Sequence, residues 1–271
     1  MIDNVCKFLA ESYSTDFASW LLGKPITLTK IEQSELAVEP IRADSVIFLE
    51  SAEIILHIEF QTEPNQNIPF RMTDYRLRLY RKYPERKVHQ VVIYLSHSRS
   101  HLVHETTFNL GELIHNFNVI RLWEQPTAIF QQYQGLLPFA TLSQTSAPEE
   151  TLRQVARQIE NITDKQLQSN VAASTAIISG IALSKEIIKR LLRSDIMKES
   201  VIYQEILHEG LAEGEARGLA KGKAEERNQI ALNMLLSNIS VDIVTQLTGL
   251  TTKQVQKLQK LSNKKSRNLK K

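Results

Sequence analysis

Residues 54–61 read IILHIEFQ. His57, Glu59 and Gln61 fall at every second position of an otherwise apolar run. In an extended strand alternate side chains share a face, so these three polar groups point the same way. The preceding stretch, DSVIFLE at 44–50, is a second strand pattern separated from the first by little more than Ser51 and Ala52. Reading the two as a hairpin closed at Ser51–Ala52 sets Asp44 directly across from Glu59. Two carboxylates at cross-strand range repel and lose hydration, so a cation between them is the stable arrangement. Carboxylate oxygens select a hard ion, Mg2+ or Mn2+. A slip of one residue would turn Asp44 to the other face, so the reading depends on this register.

Outward from the hairpin, the first 125 residues alternate helical and strand periods. NVCKFLAESYSTDFASWLLG (4–23) spaces apolar residues helically and stops at Gly23 and Pro25. ITLTKIE and LAVEP offer a short first strand. TEPNQNIP is a polar loop, and FRMTDYRLRLYRKY (70–83) is a basic amphipathic helix with Phe70, Tyr75, Leu79 and Tyr83 near one face. KVHQVVIYL is a buried strand pattern, NFNVIRLW a further strand, and HSRSHLVH a polar loop. The predicted order is one helix, three strands, a helix and a strand, an α/β class. After Pro126 strand signals vanish and the patterns are helical.

Residues 126–208 form a helical region. At 209–238, Gly210, Gly214, Gly218 and Gly222 recur every fourth residue among charges. That segment reads either as a helix for close contact, as in a homodimer, or as a charged linker that is helical only in part. Residues 239–271 hold a helical hairpin around Thr248, Gly249 and Thr251, in which Ile243, Val244 and Leu247 face Leu250, Val255 and Leu258. It reads either as a helix-turn-helix or as a plain helical hairpin.

Composition narrows the class. The chain has 271 residues, 42% hydrophobic and 23% charged, as soluble globular domains do. No apolar run reaches a membrane-spanning length and the N-terminus lacks a signal-peptide pattern, so a cytoplasmic location is expected. Net charge is +3, yet the last 21 residues carry eight Lys or Arg and no acid, which suits a polyanion or a solvated tail. One cysteine allows no internal disulfide, and no nucleotide-binding glycine motif is present.

An Asp at a strand start, a hairpin, then E-x-Q on the next strand resembles the PD-(D/E)XK nuclease motif. RADSVIFLE, IILHIEFQ, FRMTDYRLRLYRKYP and QVVIYL, with the later EGLAEGEARGLAKG, resemble more narrowly the bacterial recombination-promoting nuclease and transposase (Rpn) family. The resemblance covers about residues 1–125 and extends loosely to 225. It implies a restriction-endonuclease-like αβββαβ core with a helical C-terminal extension, and a Mg2+- or Mn2+-dependent DNA endonuclease with a role in recombination. Asp44, Glu59 and the Phe60 carbonyl would then hold the metal, and Gln61 would stand where the superfamily has a water-orienting Lys. Gln61 is uncharged, and Ala43 replaces the usual Pro before the motif Asp. These departures leave a second expectation, a weakly active or inactive nuclease-fold module that binds DNA or protein.

The basic helix supplies Arg71, Tyr75 and Arg78 as candidate phosphate contacts; the same residues also read as a solvated face with a core tyrosine. Glu11 is either a further metal-site acid or a surface charge. His57 is either a ligand or a hydrogen-bonded sheet histidine.

Overall fold

The computed structural model describes residues 2–31 and 46–259. They divide into two compact units, Met1–Ile206 and Leu207–Lys271.

The first unit opens with α1 (Ile2–Ser12) and α2 (Ser14–Leu22). Gly23 ends α2 in the left-handed region (φ 68°) that a residue without Cβ enters readily. The short β1 (Thr29–Lys30) precedes β2 (Val46–Glu50) and β3 (Ile54–Gln61); α3 (Ile68–Lys82) then leads to β4 (Lys87–Tyr94). The predicted helix, strands, helix and strand are thus present in that order, with the first helix in two pieces. A small hairpin follows, β5 (Thr107–Leu110) and β6 (Leu113–Asn116), before β7 (Asn118–Arg121). The main sheet runs β1-β2-β3-β4-β7, antiparallel through β3 and parallel from β3 to β7. A parallel step needs a crossover, and α3 supplies the one between β3 and β4.

β3 is buried along nearly its whole length because both sheet faces are covered. Leu56, Ile58 and Phe60 join Ile47, Leu49 and Ile93 in the main core, which α1, α2 and the later helices complete. The Phe60 ring stacks on Phe139, 5.9 Å between centroids, and meets Phe17 edge-on. On the opposite face α3 covers Ile55, Phe48, Val92 and Tyr94 with Tyr75, Leu79, Ile68 and Met72. The apolar stripe of α3 is therefore Ile68, Met72, Tyr75 and Leu79 at helical spacing. Phe70, expected on it, is 58% exposed and instead touches Phe108 of β5.

The β2–β3 register corrects the expected one. Val46 pairs with Glu59 and Phe48 with His57, two residues from the predicted alignment. Ser51 N–H donates to the Ile54 carbonyl at 2.8 Å and the Ser51 hydroxyl accepts from Ile54 N–H at 3.2 Å, which centres the turn on Ala52–Glu53. A shift of two keeps each side chain on its expected face. It gives the place opposite Glu59 to Val46; Asp44 and the LAVEP segment lie outside the described residues.

No strand follows β7 among the described residues. α4 (Thr127–Gln131), a 3-10 stretch Gln134–Leu142 buried from Gly135 onward, α5 (Pro148–Glu160), α6 (Lys165–Ser179), α7 (Lys185–Leu191) and α8 (Ser194–Met197) pack on the main core. HSRSHLVH is not wholly loop: 101–104 form a 3-10 turn that buries Val103. α9 (Val201–Leu236) is continuous, so the glycine-spaced segment is fully helical. In the second unit, α10 (Val241–Thr248) and helical backbone at 252–259 close on the end of α9 through Ala231, Val244, Leu250 and Val255. Ile243 and Leu247, expected in that core, are exposed, because Val244 alone of the three faces inward.

Candidate functional site

The face of β3 beneath α3 is where the polar trio lies. Glu59 is wholly buried. One carboxylate oxygen, Oε1, receives the Arg71 guanidinium at 3.0 Å and the Gln61 side-chain amide at 3.0 Å. The other, Oε2, is buried and has no hydrogen-bond partner among the described residues. Burial pushes the Glu59 pKa up to about 7, against the pull of Arg71 and of the Gln61 hydrogen bond. One internal cation thus offsets only part of the lost hydration.

Arg71 reaches Glu59 because it lies one turn inside α3, on the side that meets β3. Tyr75 follows one turn later on the same side. It is buried, and burial raises its hydroxyl pKa although nearby Arg71 acts the other way. Tyr94 of β4, whose Cα partner is Gln61, is also buried; its pKa is pushed up to about 12 by burial and then by Glu59. The site is thus one carboxylate, one guanidinium, one amide and two phenols around the C-terminal end of two parallel strands.

The sequence candidates separate. Glu59, Gln61, Arg71 and Tyr75 come together. Phe60 turns its ring into the opposite core, which leaves its backbone as its only polar offering. Arg78 is held on its own helix by Asp74 at 2.9 Å. Glu11 pairs with Lys30 at 3.5 Å. Asp44 lies outside the described residues.

His57 has a structural assignment. Gln90 Nε2 donates to the Met72 carbonyl at 2.7 Å and contacts His57 Nδ1 at 2.9 Å. Met72 offers only an acceptor, so the amide nitrogen faces it, and its second hydrogen goes to an unprotonated Nδ1. Gln90 Oε1 then accepts from His115 Nε2 at 2.8 Å. The His57 ring packs on Phe48 and edge-on to Tyr75. Burial and then Arg71 depress its pKa to about 3, so the ring is neutral. Gln90 and His115 were missed in the sequence. The available signal was a lone glutamine beginning the run QVVIYL, where a buried amide must find partners.

A hard cation requires oxygen donors. Among the described residues no three His, Cys, Asp or Glu side chains cluster as a metal set. The unpartnered Glu59 Oε2 fits one carboxylate ligand of such a set. No helix of the described residues is long and apolar enough to cross a membrane. No family model, curated protein or solved structure matches this chain.

Proposed function

We propose that this protein is a divalent-metal-dependent DNA endonuclease of the PD-(D/E)XK type, related to the Rpn family. The observation that carries the reading is Glu59: a fully buried carboxylate at the end of a central strand, one oxygen paired and the other without a hydrogen-bond partner among the described residues. An apolar side chain there would cost less, so a buried acid at this position points to chemistry rather than stability. Glu59 Oε2, Asp44 and the Phe60 carbonyl would hold Mg2+ or Mn2+. When bound, the ion supplies an activated water and charge neutralisation at the phosphate.

The chain's own groups divide the remaining work. Gln61 can hydrogen-bond a water but cannot carry the charge of a Lys, so it orients without stabilising an anion. Arg71 neutralises Glu59 in the resting state. The Arg71 guanidinium would also be placed to pair with a backbone phosphate oxygen if Glu59 were held by a metal instead. Tyr75, edge-on to the His57 ring, fixes the side of Arg71. The neutral His57, held by Gln90, keeps a second positive charge away from this cluster.

A second reading, a nuclease-fold module of little activity that binds DNA or protein, is favoured by one observation. Arg71 and Gln61 both occupy Glu59 Oε1, and among the described residues no three His, Cys, Asp or Glu side chains cluster as a metal set. Cleavage of supercoiled and linear DNA with Mg2+ or Mn2+ decides between the two. The nuclease reading expects nicking that Glu59→Gln and Asp44→Ala each reduce at least about a hundredfold with the fold intact. Cleavage unchanged in both variants refutes it, and no cleavage by the wild type favours the second reading.

A further inference from the structure

We propose that the second unit is a helix-turn-helix that docks its last helix on duplex DNA through Lys253, Lys257, Thr252 and Gln256. These residues belong to the second unit and Glu59 to the first, and the inference does not rest on the nuclease reading.

The turn is built for this geometry. α10 ends at Gly249 in the left-handed region (φ 66°), where its N–H reaches back to the Thr245 carbonyl. Leu250 then plugs the core beside Val244 and Ala231. The next helix starts with a reciprocal cap: Thr251 Oγ1 accepts from Gln254 N–H at 3.4 Å, and Gln254 Oε1 accepts from Thr251 N–H at 2.8 Å. Val255 faces inward and Leu258 packs beside it. The outward face is thereby fixed as Thr252, Lys253, Gln256 and Lys257, all exposed.

That face is arranged against its own helix. Lys253 lies in the first turn, where the helix dipole disfavours a cation. Lys253 and Lys257 are four apart, a like-charge spacing that repels. No acid lies between Gly249 and Gln259, and the twelve residues beyond add five Lys and one Arg without an acid. A helix that merely walled a core would gain from acid–base pairs at these positions. A phosphate at the helix N-terminus removes both penalties at once. Thr252 and Gln256 share the face and present hydrogen-bonding groups suited to base edges in a major groove, which admits one helix.

The test measures binding, not cleavage. The full chain is titrated onto a fluorescent mixed-sequence duplex of about 30 bp in EDTA, between roughly 50 and 200 mM salt. Lys253→Ala/Lys257→Ala should weaken binding at least about fivefold and lower the slope of log affinity against log salt by about 1.8, two phosphate contacts' worth. Lys253→Arg/Lys257→Arg should restore both, and circular dichroism should be the same for all three. Unchanged affinity and slope in the alanine variant overturn the proposal. So does the absence of duplex binding, or preferential binding of single-stranded or A-form RNA. A wild type that cleaves no DNA yet binds it through these lysines would count against the nuclease reading and leave this one standing.

Discussion

Glu59→Gln should make the protein more stable at alkaline pH. The substitution keeps the side chain's shape and a carbonyl oxygen for Arg71, but removes the charge. In the folded chain burial raises the Glu59 pKa from 4.5 to about 7. Between those values the folded protein holds a proton that the unfolded chain has released. The stability that this proton provides is full below about pH 4.5 and is lost as pH rises through about 7. At roughly 1.4 kcal/mol per pH unit, the loss is about 3 kcal/mol at pH 8. Glutamine does not ionise, so relative to wild type the variant should gain about 2–3 kcal/mol between pH 5 and pH 8. His57, whose pKa burial lowers, acts oppositely in acid but equally in both proteins, and cancels in the comparison. Urea unfolding in EDTA, followed by tryptophan fluorescence and circular dichroism, measures both stabilities. A pH-independent difference, or a variant that loses ground at pH 8, refutes the account of Glu59 as a desolvated acid. Repeating the titration with Mn2+ at pH 8 adds a second arm. An ion at one hundred times its dissociation constant should stabilise wild type by about 2.7 kcal/mol and the variant by far less.

Other outcomes follow from single features. His57→Phe should remove an acid lability of up to about 5 kcal/mol between pH 6.5 and 3, because a ring depressed to about 3 must charge on unfolding; urea unfolding at pH 7 and 4 checks it. At neutral pH the same change should cost about 1–3 kcal/mol by leaving Gln90 short of an acceptor. Gly135→Ala should destabilise by more than about 2 kcal/mol, since the added Cβ would meet Tyr13 Cβ at 2.3 Å; the thermal midpoint reports it. Alanine at Gly210, Gly214, Gly218 and Gly222 meets no heavy atom within 4 Å and should raise helix stability by about 0.5–1 kcal/mol per site. If those alanines instead lower the thermal midpoint and shift the sedimentation of the full chain, the glycine face is packed against a second copy.

The order of elements in the first 125 residues was legible because period and punctuation are local. IILHIEFQ could only be a strand with a polar face, and QVVIYL only a buried one. α3 was visible as a helix, although Phe70 was misplaced on its inner face. A single apolar residue does not say whether it meets the sheet or, as here, a ring on a neighbouring hairpin. The β5–β6 hairpin carries its own signal, Gly111 in the left-handed region between short runs, but those runs are too polar to stand out. The glycine-spaced helix ran against propensity, which is a weak prior for a segment continuous with good helix formers on both sides.

The sequence by itself determined that Glu59, His57 and Gln61 share one face of a strand and that Arg71 and Tyr75 share one side of a helix. Those facts follow from the periods of two and 3.6 residues. Only the tertiary structure decided that the two faces meet. The parallel crossover lays α3 over β3, so Arg71 arrives at one Glu59 oxygen and the other has no hydrogen-bond partner among the described residues. The structure also decided what each polar group became: His57 a neutral ring clamped by Gln90, Glu59 a carboxylate held near neutrality. Burial sets these states, and it depends on what the other side of the chain brings to the same place.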